Sequence, residues 1–175
     1  MTVTLAERNL HTATQLVPAD FLSSLFVAEL LRPSRPLWIV SPWVSDIELI
    51  DNSARQLAGL CPAWPSTQIR LSSVIQVLLE RGGGLVLVVN ESPHNNEFIA
   101  RLEQMGLLGS KNLRCVRDAT MHEKGIVGDH FTLDGSMNLT YNGVHVNSEY
   151  LIYRTDPATV AERRLTLHSL WMAQA

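Results

Sequence analysis

Residues 70–90, RLSSVIQVLLERGGGLVLVVN, hold a helix, its stop and a strand in one run. Leu71, Val74, Ile75, Leu78 and Leu79 recur at the spacing that puts apolar side chains on one helical face. Gly82 to Gly84 end that helix, because glycine readily takes the left-handed backbone of a helix terminus. The residues LVLVV that follow are apolar without alternation, the pattern of a strand covered on both faces. A helix feeding a doubly buried strand predicts an α/β architecture, and the flanking sequence continues the alternation.

Towards the N-terminus, Leu37 to Val40 (LWIV) reads as a second buried strand that delivers Ser41, Pro42 and Trp43 into a loop. Before it, Phe21, Leu22, Leu25, Phe26 and Leu30 define an amphipathic helix opened by Pro18 and closed by Pro33 and Pro36. Residues 1–17 are mixed and are expected at the surface or in a short first helix. Residues 51–68, which contain Gly59, Pro62 and Pro65, are expected to form a loop or short helix. Towards the C-terminus, NNEFIARLEQMG predicts a helix ending at Gly106, and LRCVRD a strand. HEKGIVG and HFTLDG read as two strands around a tight turn, SEYLIYRT as another strand, and the chain from Pro157 as a helix carrying Val160, Leu165, Leu167, Leu170 and Trp171. The expectation is one domain, 1–175, of α/β class with a mixed β-sheet flanked by helices.

Composition narrows the function. A chain of 175 residues, 46% hydrophobic and 18% charged, fits an ordinary domain with its own core. A formal charge of -3 excludes a generally basic coat, so any polyanion must be met by a local patch. Cys61 and Cys115 have no CxxC spacing and are expected to be reduced core residues. No apolar run approaches the roughly 18 residues of a membrane span, and MTVTLAERNLHTATQ lacks the basic start and apolar stretch of a leader. These features predict a soluble, unexported, cytoplasmic protein with no membrane partner.

The chemistry concentrates in residues 121–154, MHEKGIVGDHFTLDGSMNLTYNGVHVNSEYLIYR. Side chains at i and i+2 of a strand leave the same face, so His122 and Lys124 are expected to point together, as are Ser136 and Asn138 if that segment is extended. Of the 14 basic residues only Lys111 and Lys124 are lysines, which makes Lys124 conspicuous. A histidine beside a fixed ammonium, with a hydroxyl and an amide opposite, suits a phosphodiester: a nitrogen nucleophile or proton shuttle with donors for the non-bridging oxygens.

At these residues the chain resembles the phospholipase D superfamily, whose signature is HxK, four residues, Asp, about six residues, then GSxN. It reads here as His122, Lys124, Asp129, Gly135, Ser136 and Asn138, with Thr140 matching a common extension and Glu149 a downstream acidic position. Seven matches, the six signature residues and Glu149, each about a one-in-twenty event on ordinary usage, make the likeness specific. One departure is that only five residues, His130 to Asp134, separate Asp129 from Gly135. The order of the SPW strand end, LVLVVN, the motif hairpin and NSEYLIYR also fits a superfamily half, so the likeness covers most of the chain.

The resemblance implies a homodimer, because the chain holds one HxK and family members carry two motifs per chain or one per subunit. The site would lie at a two-fold interface. One His122 would attack phosphorus and the second would protonate the leaving group, with Lys124, Ser136 and Asn138 binding the phosphate oxygens. Glu149 would accept a hydrogen bond from the histidine, and Asp129 and Gly135 would be structural parts of the motif. No metal or other cofactor is implied. Trp43 could stack on a base or line an acyl pocket; Arg114, Arg117 and Arg154 could line a phosphate path or form a solvated face. Cys115 and Trp171 are expected in the core.

The resemblance favours a metal-independent phosphodiesterase acting on nucleic acid, DNA before RNA, like the small single-motif bacterial nucleases. The SPW strand end and the Asp51-Asn52 pair also look like the small phospholipase D-like proteins of DNA-modification and phage-defence systems, which would add partner proteins. Two alternatives stand beside this: a weakly active nucleic-acid-binding or assembly subunit of such a complex, and a phospholipase.

Overall fold

The computed structural model describes residues 7–11 and 18–172. Among these, the main sheet has seven strands: β1 (Glu7–His11), β2 (Leu37–Val40), β5 (Leu85–Val89), β6 (Leu113–Arg117), β7 (Gly125–Val127), β8 (Thr132–Gly135) and β9 (Tyr150–Arg154), in the order β1-β9-β8-β7-β2-β5-β6. β2, β5 and β6 run parallel, as helical crossovers require, and β7, β8, β9 and β1 add antiparallel ribbons. The expected mixed sheet is therefore present.

Helices cover both faces. α1 (Pro18–Leu31), α2 (Leu71–Glu80) and α3 (Asn96–Gln104) pack on one side, where Leu22, Phe26, Leu30, Ile75, Leu78, Phe98 and Leu102 meet Ile39, Leu87, Val89 and Leu133. α5 (Pro157–Trp171) lies on the other, with Leu167 and Trp171 against Trp38, Val40, Val86, Val88 and Val127. Alternate residues of β2 and β5 thus serve two cores, which is why neither strand has a polar face. Asp156 starts α5 by accepting from the Thr159 amide at 2.9 Å, with Pro157 in the first turn. The Cys61 and Cys115 thiols are free, the first buried and the second half-buried.

Four local features refine or correct the expectations. Glu7–His11 is an edge strand paired with β9, not part of a helix; residues 1–6 and 12–17 lie outside the described residues. The region expected as loop or short helix is bounded by a two-stranded ribbon, β3 (Glu48–Asp51) with β4 (Gln68–Arg70). Asn52, buried at its base, donates to Pro65 O and accepts from the Leu57 amide, closing the intervening turns. A short helix, α4 (Tyr141–His145), follows Thr140, whose hydroxyl accepts from Gly143 N at 3.2 Å. Finally, the strand expected from His122 starts only at Gly125, so the HxK residues sit in the loop before β7.

No helix among the described residues is long and apolar enough to cross a membrane.

Candidate active site

The carboxyl ends of β2, β5 and β8 and the start of β7 lie at one end of the sheet, the end at which open α/β sheets bind their ligands. His122 and Lys124 are presented there by residues 118–124. This loop is pinned rather than loose. Asp118 accepts from the Thr120 amide at 2.7 Å and its hydroxyl at 2.6 Å, and these bonds hold its carboxyl below the usual range. Asn90, at the end of β5, donates to Ala119 O at 2.9 Å, and Met121 is buried against Val40, Val88 and their neighbours. Sequence alone did not single out Asn90, although a polar residue closing an apolar strand is the signal that marks it.

The pinned loop leaves His122 exposed and Lys124 half-buried. The Lys124 ammonium donates to its neighbour's carbonyl, His122 O, at 2.9 Å and stands 3.5 Å from His122 Nε2. The i, i+2 pair thus converges through a folded-back lysine rather than through strand alternation. The Lys124 stem borders a crevice of about 10 Å³ among Ser41, Gly135, Met137 and Leu139. Burial pulls the ammonium below the ordinary lysine range, and the negative charge of Glu149 opposes that pull.

Gly135 carries the second half of the motif against the first. Its amide donates to Lys124 O at 3.4 Å, and a Cβ at this position would collide with the Tyr150 carbonyl. Glycine is thus required for β8 and β9 to close here. Ser136 follows, donating to Glu149 in a short hydrogen bond and accepting from Tyr150 N at 3.2 Å. Glu149 is buried and also accepts from Asn147 Nδ2 at 3.2 Å. These bonds join Ser136 and Glu149, and the charge of Glu149 acts in turn on Lys124, the neighbour of His122. The five-residue spacing is absorbed by the Gly128–Phe131 turn, and β7 and β8 remain in register through Gly125 and Asp134.

Asn138 is less fully engaged. Its backbone carbonyl accepts from Thr140 N at 2.9 Å, while its amide oxygen is buried without a hydrogen-bond partner among the described residues. Ser41 is buried and structural: it donates to Trp43 O at 2.8 Å and accepts from Leu139 N at 3.1 Å, tying the SPW loop to the motif segment. Asn95, fully buried, braces the same loop through Val44 N and Pro42 O, both at 2.8 Å. Trp43 itself is 43% exposed at this end.

The remaining expected residues lie elsewhere. Asp129, at the far end of β7, accepts from Arg35 N at 3.2 Å and pairs with Arg164 at 2.9 Å, while its amide donates to Ser34 Oγ. Arg154 pairs with Glu7 and Arg117 donates to Glu91 O and Asn96, so neither is free for a phosphate path. Arg114 is near the opposite end of β6. A cavity of about 570 Å³ between α5 and Pro36, Trp38 and Asp129 is also at that opposite end. The His122–Lys124 pair, the buried Glu149 carboxylate and the Ser136 hydroxyl lie instead at the His122 end of the sheet.

Comparison with known proteins agrees with this geometry. The model of the family described as cardiolipin synthase, PLD-like domain, matches residues 47–171. No curated protein matches the sequence. Among solved structures, NucT from Helicobacter pylori is similar at 18% identity and a TM-score of 0.60, covering 93% of each chain. Nuc from Salmonella typhimurium, a phospholipase D family member, is similar at 14% identity and a TM-score of 0.59, covering 94% of this chain and 93% of its own. The archaeal chromatin protein TrmBL2 shares the fold at 10% identity and a TM-score of 0.57, over 99% of this chain and 54% of its own. With the family model spanning β3 to α5, which is more than half of the sequence, the chain belongs to the phospholipase D-like family.

Proposed function

We propose that the protein is a metal-independent phosphodiesterase, a nuclease acting on DNA, that works as a homodimer through a phosphohistidine. The observation that carries this reading is the Lys124 ammonium 3.5 Å from His122 Nε2, backed by the Ser136–Glu149 pair. In the first step His122 Nε2 forms a bond to phosphorus as the P–O bond to the leaving group breaks. The partner subunit's His122 gives that oxygen its proton. In the second step the partner's His122 takes a proton from water, the resulting hydroxide displaces the histidine, and the P–N bond breaks. Lys124 neutralises charge on the non-bridging oxygens, and Asn138 Nδ2 and Ser136, its hydroxyl turned from Glu149 to the substrate, donate hydrogen bonds to them. Glu149 accepts from a histidine N–H in the assembled site and fixes its tautomer, as carboxylates behind catalytic histidines do. Asp129 and Gly135 hold the hairpin that carries these groups.

The dimer is part of the proposal, because one exposed His122 cannot serve as nucleophile and leaving-group acid in the same step. The cytoplasmic setting, and a DNA-modification or phage-defence complex as its context, are proposed from the sequence resemblance. Partner proteins would then deliver substrate to a chain whose formal charge of -3 provides no general attraction for it.

The test is incubation of wild type and His122→Ala with labelled single- and double-stranded DNA and RNA in chelator, with mass measured in solution. Cleavage by a wild-type dimer and none by the variant supports the reading; a strict divalent-metal requirement overturns it. A second reading, a nucleic-acid-binding subunit with little turnover, is favoured by the likeness to TrmBL2, a chromatin protein described as having a novel mode of DNA binding. It predicts unchanged DNA binding in both proteins and cleavage in neither.

A further inference from the structure

At the end of the sheet remote from His122, a recess of about 290 Å³ opens between the starts of β2, β5 and β6. Arg35, Lys111 and Arg114 stand around it, and no Asp or Glu is among its lining residues. Pro36, Leu85, Val86 and Met172 supply apolar surface. In a chain with more acids than bases, three cations around one concavity are an unusual concentration.

The side chains of these three residues are also unengaged among the described residues. Arg70, Arg154, Arg163 and Arg164 form ion pairs, and Arg81 and Arg117 donate to backbone carbonyls. Arg35, Lys111 and Arg114 do neither, although Arg114 is half-buried on β6, beside Val86 of β5. Arg114 has no counter-charge among the described residues, and an anion at the recess would supply one. The Asp129 carboxylate does not supply that counter-charge, since it is held by Arg164 and lines the neighbouring cavity.

The turn that walls the recess sets what can bind. Gly82, at φ +79°, and Gly83 donate their amides to Leu79 O and Leu78 O, and Gly84 donates to Ser34 O. No glycine amide is left for an anion, so the charge must be met by side chains. Guanidinium groups both grip phosphate and stack on planar rings. We infer that this recess binds a phosphate group attached to a flat apolar body: a nucleoside monophosphate, either free or as the phosphorylated end of a nucleic-acid strand. The site is separate from the His122 chemistry and does not depend on it.

The test uses the full chain carrying Lys124→Ala, which weakens phosphate contact at the other end, and reads melting temperature and titration calorimetry. Adenosine 5′-monophosphate should raise the melting temperature; adenosine should not, and inorganic phosphate should bind at least tenfold more weakly than the nucleotide. Adding Arg114→Leu should raise the melting temperature without ligand, by removing the unpaired charge, and abolish the ligand-induced rise. Adding the exposed Lys111→Ala should weaken binding about tenfold with no change in unliganded stability. A short oligonucleotide with a 5′-phosphate binding more tightly than the mononucleotide, and its 5′-hydroxyl counterpart failing to bind, assigns the strand end as the source. Tighter binding of the mononucleotide assigns the free nucleotide. No response to either phosphorylated probe, or a response that survives Arg114→Leu, overturns the inference, as does phosphate binding as tightly as the nucleotide.

Discussion

The two ends of strand β7 carry two parts of the first half of one sequence motif, HxK and Asp129, and they are built in opposite ways. At one end His122 is exposed and Lys124 half-buried, with the Lys124 ammonium donating to its own loop and biased by Glu149. At the other end Asp129 is fully engaged by Arg164, Arg35 N and Ser34. Four residues, Gly125 to Gly128, lie between Lys124 and Asp129, three of them in β7. The contrast teaches that neighbouring letters of one motif can have different roles. A group kept available can do chemistry, and a group whose lone pairs are occupied holds the fold. The neighbourhood of Asp129 reinforces this. Glu29 is buried and accepts from Ser34 N and Ser34 Oγ, both at 2.9 Å, while burial pushes its carboxyl above the usual range.

The largest expected effect tests the chemical end. His122→Ala should lower cleavage by roughly 10³-fold or more while leaving the melting temperature nearly unchanged, since the side chain is exposed. Comparable loss from Asp129→Ala, measured per folded molecule, would erase the distinction between the two ends. Next, Gly135→Ala should cost about 3 kcal/mol of stability, because its Cβ would press on the Tyr150 carbonyl where β8 and β9 close. Denaturant unfolding checks this, and a neutral result would mean that the strands have room they do not show. Asp129→Ala should cost less, about 1–2 kcal/mol, through the bonds lost to Arg164 and the Arg35 amide, with cleavage per folded molecule within about threefold of wild type.

The smallest expected effect is on pH dependence. On the proposed mechanism Lys124 assists phosphate only while protonated, and its pKa is lowered by burial and raised by Glu149. Activity should therefore fall with rising pH below the ordinary lysine range, about 10.4. Removing the raising influence with Glu149→Gln should move this alkaline limb to still lower pH, whereas Asp129→Asn should leave it in place. Stability has its own sign: between the lowered folded pKa and the unfolded one, the unfolded chain binds more protons, so Lys124 contributes a rise in stability with pH. A Glu149→Gln limb that stays put or moves upward would contradict the coupling.

What could be read from the sequence follows from how each part is stabilised. LWIV and LVLVV announce themselves because both of their faces are buried, and α2 because its apolar stripe is regular. β1 did not, since ERNLH is a polar edge strand defined by its pairing with β9. β3 and β4 are short and joined by turns that a buried asparagine organises, a tertiary arrangement with no local period. α4 had a legible signal in Thr140 and Gly143, a capping hydroxyl and the amide it accepts from. The residue types at the candidate site were legible from their spacing, but the physical reason for their convergence was not. His122 and Lys124 meet because Asn90 and the Asp118–Thr120 turn pin a loop, not because a strand alternates.

The most direct test of the central claim is to seek the covalent intermediate. Wild type and His122→Ala would be mixed with 5′- and 3′-labelled oligonucleotides in chelator, stopped within milliseconds in alkaline denaturant where phosphoramidates persist, and mapped by peptide mass. The phosphohistidine mechanism predicts an adduct on the peptide containing His122 that forms before product and is absent from the variant. Cleavage that continues undiminished in His122→Ala, with no adduct at this residue in wild type, would contradict it.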